Sequence, residues 1–265
     1  MLMRMKTSLI FFILIPLFNS CGISTGLYDD ILKAQDYITE QKFNKAVKLY
    51  ENILLKKPSK NVRIKINFQL GEIYSIYLAN YEKSIIHFTE IIHESNEPRE
   101  QVRALEKLGN IYFNDIKDYK KSQTAYNQLR QFYPPLEKNN FYNFQYALSI
   151  FNQKKYVKAI EVFAEIISKQ DGEYAIRSYH YMGLAEFYMK NYSKALNSWF
   201  EYLKREKRTD LIVQTKFLIA NAYESSEKLK EAYNIYYSLL GEYPNAAVIK
   251  NRLNSLYNRR VARKR

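Results

Sequence analysis

The chain has 265 residues and a formal net charge of +14, from 41 Lys and Arg against 27 Asp and Glu. Hydrophobic residues make up 47% and charged residues 26%, a balance that supports a packed core and argues against disorder. Seven Gly and six Pro are too few for the turns of a β-sandwich or β-barrel or for a Gly-rich phosphate loop. A single Cys excludes an intramolecular disulfide framework and a cysteine-cluster metal site.

The first element is an address. Arg4 and Lys6 precede an apolar run, Leu9 to Phe18, followed by Asn19-Ser20-Cys21-Gly22. Ten helical residues reach about 15 Å, half of a ~30 Å hydrocarbon core, so the run reads as a secretory h-region and not as a membrane span. The placement of Cys21 after a small residue resembles the lipobox of bacterial lipoproteins, with Phe18 and Asn19 departing from the usual residues at those places. The resemblance implies a signal peptide at 1–20, acylation at Cys21 and a short spacer at 21–26. Two or three acyl chains hold a protein stably at a bilayer, whereas one does not.

From Leu27 onward one unit repeats. Small residues fall at Ala46, Ser84, Ser122, Ala159, Ala195 and Ala232, spaced 38, 38, 37, 36 and 37. Four residues after each stands an aromatic: Tyr50, Phe88, Tyr126, Phe163, Trp199 and Tyr236. Three further on stands Ile53, Ile91, Leu129, Ile166, Tyr202 or Leu239, and upstream lies a second small residue, Ala34, Gly71, Gly109, Ala147, Gly183 or Ala220. Steps of three and four put these residues on one helical stripe. The small residues let paired helices approach, and the aromatic fills the space toward the next unit. Pro58, Pro134 and Pro244 mark helix ends. One unit cannot bury its own apolar face, so the units must stack.

This pattern resembles tetratricopeptide repeats. The resemblance implies an all-α, right-handed superhelical solenoid of about six helix–turn–helix repeats over 27–245, closed by a capping helix and basic tail at 246–265. Tyr81 and Tyr119 fall one place late, which predicts a longer inter-helix turn in repeats two and three.

No motif of catalysis, metal binding or nucleotide binding occurs, and His87, His93 and His180 lack metal-ligand spacing. The expectation is a non-catalytic chain with no cofactor and no metal. In the family, first helices line a concave groove. Their inward places hold Phe68, Phe113, Phe141, Phe144, Phe151, Phe187, Tyr188 and Phe217, with Arg103, Asn110, Arg177 and Asn221 among them. Such a groove suits an extended or helical peptide with apolar anchors, and Phe144 and Phe187 are the first candidates.

Lipobox, short spacer and repeats together resemble the arrangement of BamD-like barrel-assembly lipoproteins and of pilotin lipoproteins. This implies a scaffold for envelope proteins, anchored through Cys21 at the periplasmic face of the outer membrane. The alternative is a binder of nucleic acid or anionic polymer. Its charge would sit in the tail: after Glu242 there is no acid, and Lys250, Arg252, Arg259, Arg260, Arg263, Lys264 and Arg265 contribute +7. Behind an export signal, nucleic acid is not the expected partner; anionic lipid or an acidic protein fits the tail better.

Overall fold

The structure, a computed structural model, describes residues 22–169 and 171–262. Cys21 and the segment before it, and Arg263, Lys264 and Arg265 at the other end, lie outside the described residues. Every regular element among the described residues is helical. The helices are α1 (Gly22–Thr39), α2 (Phe43–Leu55), α3 (Lys60–Glu72), α4 (Tyr81–Glu94), α5 (Pro98–Asn110), α6 (Tyr119–Arg130), α7 (Asn139–Asn152), α8 (Tyr156–Lys169), α9 (Glu173–Tyr188), α10 (Tyr192–Leu203), α11 (Thr209–Ser225), α12 (Leu229–Ser238) and α13 (Ala246–Ala262). Helix α2 packs on α1 and α3, and from α5 to α13 each helix packs mainly on its neighbour in sequence, as stacked helix pairs do. The first helix starts at Gly22, so the stretch expected to be spacer is already helical from that residue.

The chain divides into two compact units, one ending at His87 and one starting at Phe88. In the N-terminal unit, Ala34, Ala46, Tyr50, Ile53, Leu70 and Tyr74 form one core, flanked by Leu27, Ile31 and Leu54. In the C-terminal unit successive cores follow the repeat: Tyr126 and Leu129 with Tyr142, Phe163 and Ile166 with Phe144, Trp199 with Ile219, and Tyr236 with Ile249 of α13. Ile249, Leu253 and Leu256 of α13 are buried, which makes it the cap of the last repeat.

Every position of the repeated stripe is buried. The aromatic faces two ways, which the spacing alone does not show. A Cβ on Gly183 would lie 2.3 Å from Trp199 Nε1, and one on Gly109 would lie 2.9 Å from the Tyr126 ring. The ring therefore rests on the small residue of its own repeat as well as reaching the next one. Trp199 Nε1 also donates to the carbonyl of His180 at 3.1 Å.

The expected longer turn in repeats two and three is not found. In all six repeats the turn holds a left-handed residue, Gln41, Ala79, Lys117, Lys154, Lys190 or Glu227, five places before the small residue of the second helix. The additional residue sits in the first helix. There α3 continues as a π-helical turn, Ile73–Tyr77, and α5 as another, Ile111–Asp115. The left-handed residue then follows the small one by eight places in these repeats and by seven in the others. A π-turn takes up one residue by widening the backbone from i−4 to i−5 bonds, as in Leu78 N to Ile73 O and Ile116 N to Ile111 O.

Candidate binding groove

The side chains expected to line the groove fall into three groups. Phe68 and Phe144 are core residues. Phe144, only 1% exposed, sits among Phe163, Tyr174 and Tyr181 under the Arg177 guanidinium, 4.7 Å from its ring. Burial takes it out of reach of a partner, so its candidacy as an anchor does not survive. Phe113, Phe141 and Phe217 are half-buried and covered by their own chain. Phe113 meets Tyr119 edge-on, Phe141 contacts Tyr126, Tyr142 and Tyr174, and Phe217 stacks on Tyr243 at 4.7 Å.

In the third group Phe151 and Phe187 are half-buried as well, but they border the exposed Tyr188. Phe151, Tyr156, Phe187 and Tyr188 form a chain of ring contacts at the ends of α7 and α9 and the start of α8, with centroids 5.4–6.3 Å apart. Tyr188 at 54% is its most exposed member, and Phe187 leans on buried Trp199. The edge is thus held by the core yet presents aromatic surface. Arg103 and Asn110 are exposed, and Asn110 accepts the Tyr126 hydroxyl at 2.8 Å.

Two polar clefts lie between α9 and α11, and the second includes Phe187 of this edge. The first, about 390 Å³, is lined by Glu173, Arg177, His180 and Tyr181 of α9, Tyr202 of α10, Arg208, and Leu211, Gln214 and Thr215 of α11, with Arg177 paired to Glu173 at 3.3 Å. Burial, with Arg177 beside it, lowers the His180 pKa to about 4, so the imidazole is neutral at pH 7. Its Nδ1 lies 3.5 Å from Thr215 Oγ1, at the limit of a hydrogen bond. Glu206 fixes two of the lining residues: Arg208 donates to both its oxygens at 2.9 and 2.8 Å, the Lys207 and Arg208 amides donate at 2.9 and 3.0 Å, and the Tyr202 hydroxyl at 2.9 Å. These donors, the Arg208 guanidinium foremost, keep Glu206 far below the usual carboxylate range.

The second cleft, about 450 Å³, is lined by Phe187, Asn221, Glu224, Ser225, Glu227, Arg252 and Arg259. Asn221 accepts the Tyr236 hydroxyl. Arg259 of α13 bonds Glu224 at 3.2 Å and Glu227 at 2.6 Å, and Arg252 lies 3.6 Å from Glu224. Arg260 lies over Tyr233. Arg259 and Arg260 of the expected basic tail are therefore tied to the last repeat, and the capping helix lines this cleft through Arg252 and Arg259.

Sequence reading missed Glu206, Arg208 and Thr215, and placed Tyr202 only in the buried stripe. Glu206 and Arg208 lie between helices, where no periodicity marks them, and only their one-residue separation hints at a bidentate pair. Among the described residues no three His, Cys, Asp or Glu side chains gather as a metal site, and no helix is long and apolar enough to cross a membrane.

The tetratricopeptide repeat family model matches residues 103–135, which cover the end of α5, its π-turn and α6. No curated protein matches the sequence. Among solved structures, that of PilW, a widely conserved type IV pilus biogenesis factor, is similar over 88% of this chain and 99% of its own, with 14% identity and a TM-score of 0.54. PilF of Pseudomonas aeruginosa is similar over 89% of this chain and 98% of its own, with 12% identity and a TM-score of 0.50. The apo form of RapI covers 91% of this chain and 100% of its own, with 14% identity and a TM-score of 0.50. At these identities the likeness is one of fold: the chain is an all-α array of tetratricopeptide type, and arrays of this type generally bind other proteins.

Proposed function

We propose that the chain is a non-catalytic scaffold of the cell envelope, anchored through acylated Cys21, which holds a peptide or helical segment of another envelope protein. The observation that carries the binding reading is the aromatic edge of Phe151, Tyr156, Phe187 and Tyr188, whose Phe187 also lines a polar cleft with Asn221 and Arg252. Apolar side chains of a bound segment would pack on the rings, while Gln214, Asn221 and Arg177 meet its backbone and polar groups. The anchoring reading rests on the sequence around Cys21. Outer-membrane barrel assembly and pilus assembly both suit such a scaffold, and the likeness to PilW favours the second.

The test replaces Phe187 and Tyr188 together by Ala and measures retention of co-purifying envelope proteins. Truncating two central aromatic anchors is expected to weaken binding by tenfold or more, with the helical signal unchanged. Unchanged retention by a folded double variant overturns the groove reading.

A further inference from the structure

The turns inside repeats four and five carry positive charge that no described carboxylate neutralises. Their left-handed residues are Lys154 and Lys190, with φ of 61° and 63°, and Lys155 follows the first. All three are exposed. Each left-handed lysine is tied through its backbone to the aromatic edge. Lys154 N donates to Phe151 O at 2.8 Å, and Lys190 N donates to Phe187 O at 2.9 Å. The contact between Tyr156 and Tyr188, with centroids 5.4 Å apart, sets the two turns side by side.

The sequence supplies no exposed acid to these turns. No Asp or Glu occurs between Glu137 and Glu161, or between Glu186 and Glu201. Glu186 itself is buried and accepts the Asn191 side-chain amide at 2.8 Å. The turns on either side have acids: Asp118 of repeat three pairs with Lys121 at 3.7 Å, and Glu227 of repeat six with Arg259 at 2.6 Å. Among the described residues no carboxylate pairs with Lys154, Lys155 or Lys190, and the Lys155 ammonium donates to a neutral acceptor, Gln153 Oε1, at 2.7 Å.

Ammonium groups beside apolar rings set a charge requirement on whatever packs there. Covering them with a neutral segment strips water from the charge without return, whereas carboxylates offset that loss and suppress wrong partners. The rings favour a peptide. Phe151 packs on Tyr156 and Phe187 on Trp199, which leaves no row of open ring faces for stacked bases. Tyr188 alone is too little exposed apolar surface to enter a bilayer.

We infer that the segment received by this edge is acidic, with carboxylates on Lys154, Lys155 and Lys190 and an apolar side chain against Phe187 and Tyr188. The inference rests on the binding reading above and adds the charge of the partner. Complexes purified from cells are treated with a carbodiimide, which joins an amine directly to a carboxylate in contact with it, and the linked peptides are read by mass spectrometry. Links from Lys154, Lys155 or Lys190 to Asp or Glu of the bound protein are expected. Replacing the three lysines by Gln is expected to weaken retention about tenfold and to flatten its salt dependence, and replacing them by Arg to restore both. The side chains are exposed and Gln41 already fills the equivalent left-handed place in repeat one, so the Gln variant keeps its fold.

Absence of such links, unchanged retention in the Gln variant, or retention lost on nuclease or phospholipase treatment overturns the inference. The two readings separate: loss in the Phe187→Ala, Tyr188→Ala variant with full retention in the Gln variant overturns only the acidic partner. Full retention in the Ala variant overturns both.

Discussion

Repeats two and three differ from repeats four to six by one residue in the first helix, and that difference disappears before the second helix begins. In both groups the turn has the same left-handed residue five places before the small residue. In repeats four to six the chain reverses with i−5 bonds, Lys155 N to Ile150 O, Asn191 N to Glu186 O and Lys228 N to Tyr223 O. In repeat two the corresponding bond, Asn80 N to Tyr74 O, spans six residues, because the π-turn lies inside it. The lesson is that the turn and the buried stripe are the rigid parts and the end of the first helix is the adjustable one. Polar stripe residues follow the same division. Ser84 and Ser122 replace Ala only in repeats two and three, and their hydroxyls donate to the carbonyls of Gly71 and Gly109 at 2.7 and 3.2 Å.

The strongest test of this comparison removes one residue from each group. Deleting Asn152 in repeat four shortens a helix that has no residue to spare and pulls Ala159 and Phe163 out of register. Urea unfolding is expected to show a loss of several kcal/mol or no folded protein. Deleting Asn114 from the π-turn of repeat three restores the seven-residue spacing, with an expected change within about 1 kcal/mol. Equal costs would contradict the division.

A smaller effect sharpens the contrast at the stripe. Gly183→Ala drives a methyl into the indole that donates to His180, and overpacking there is expected to cost about 2–3 kcal/mol. Gly109→Ala meets only the outer atoms of the Tyr126 ring and is expected to cost less, about 1 kcal/mol. Chemical denaturation of the two variants orders them.

A further effect depends on pH. His180 is held neutral by burial, with its pKa lowered to about 4 from 6.5, so the unfolded chain binds more protons between these values. Its stabilising contribution is complete above about pH 6.5 and is lost as pH falls toward 4. Between pH 7 and pH 5 that loss is about 2 kcal/mol. His180→Asn is expected to flatten this part of the stability profile, and an unchanged slope in thermal melts would show that the imidazole is not held neutral.

The core was legible because it repeats. Twenty-four stripe positions carry small, aromatic or aliphatic residues at fixed steps, and burial follows from the steps alone. The turns were not legible, because their left-handed places hold Gln, Ala, Lys and Glu and not the Gly or Asn that marks such a turn. The groove was legible only as a set of inward places. Phe144 and Phe187 occupy different places on successive first helices, and what separates them is the Arg177 and Tyr174 cover on one and the open Tyr188 beside the other. Those covers come from the next repeat and from outside the repeated positions, where the periodicity carries no information.

The central claim is that the aromatic edge of repeats four and five receives a partner. It is tested most directly by placing a photo-cross-linking amino acid at Tyr188 in cells, with Tyr237 on the exposed side of α12 as the control. The account predicts a discrete adduct with an envelope protein at Tyr188, lost in Phe187→Ala, and none at Tyr237. No adduct at Tyr188, or the same adduct at both positions, would contradict it.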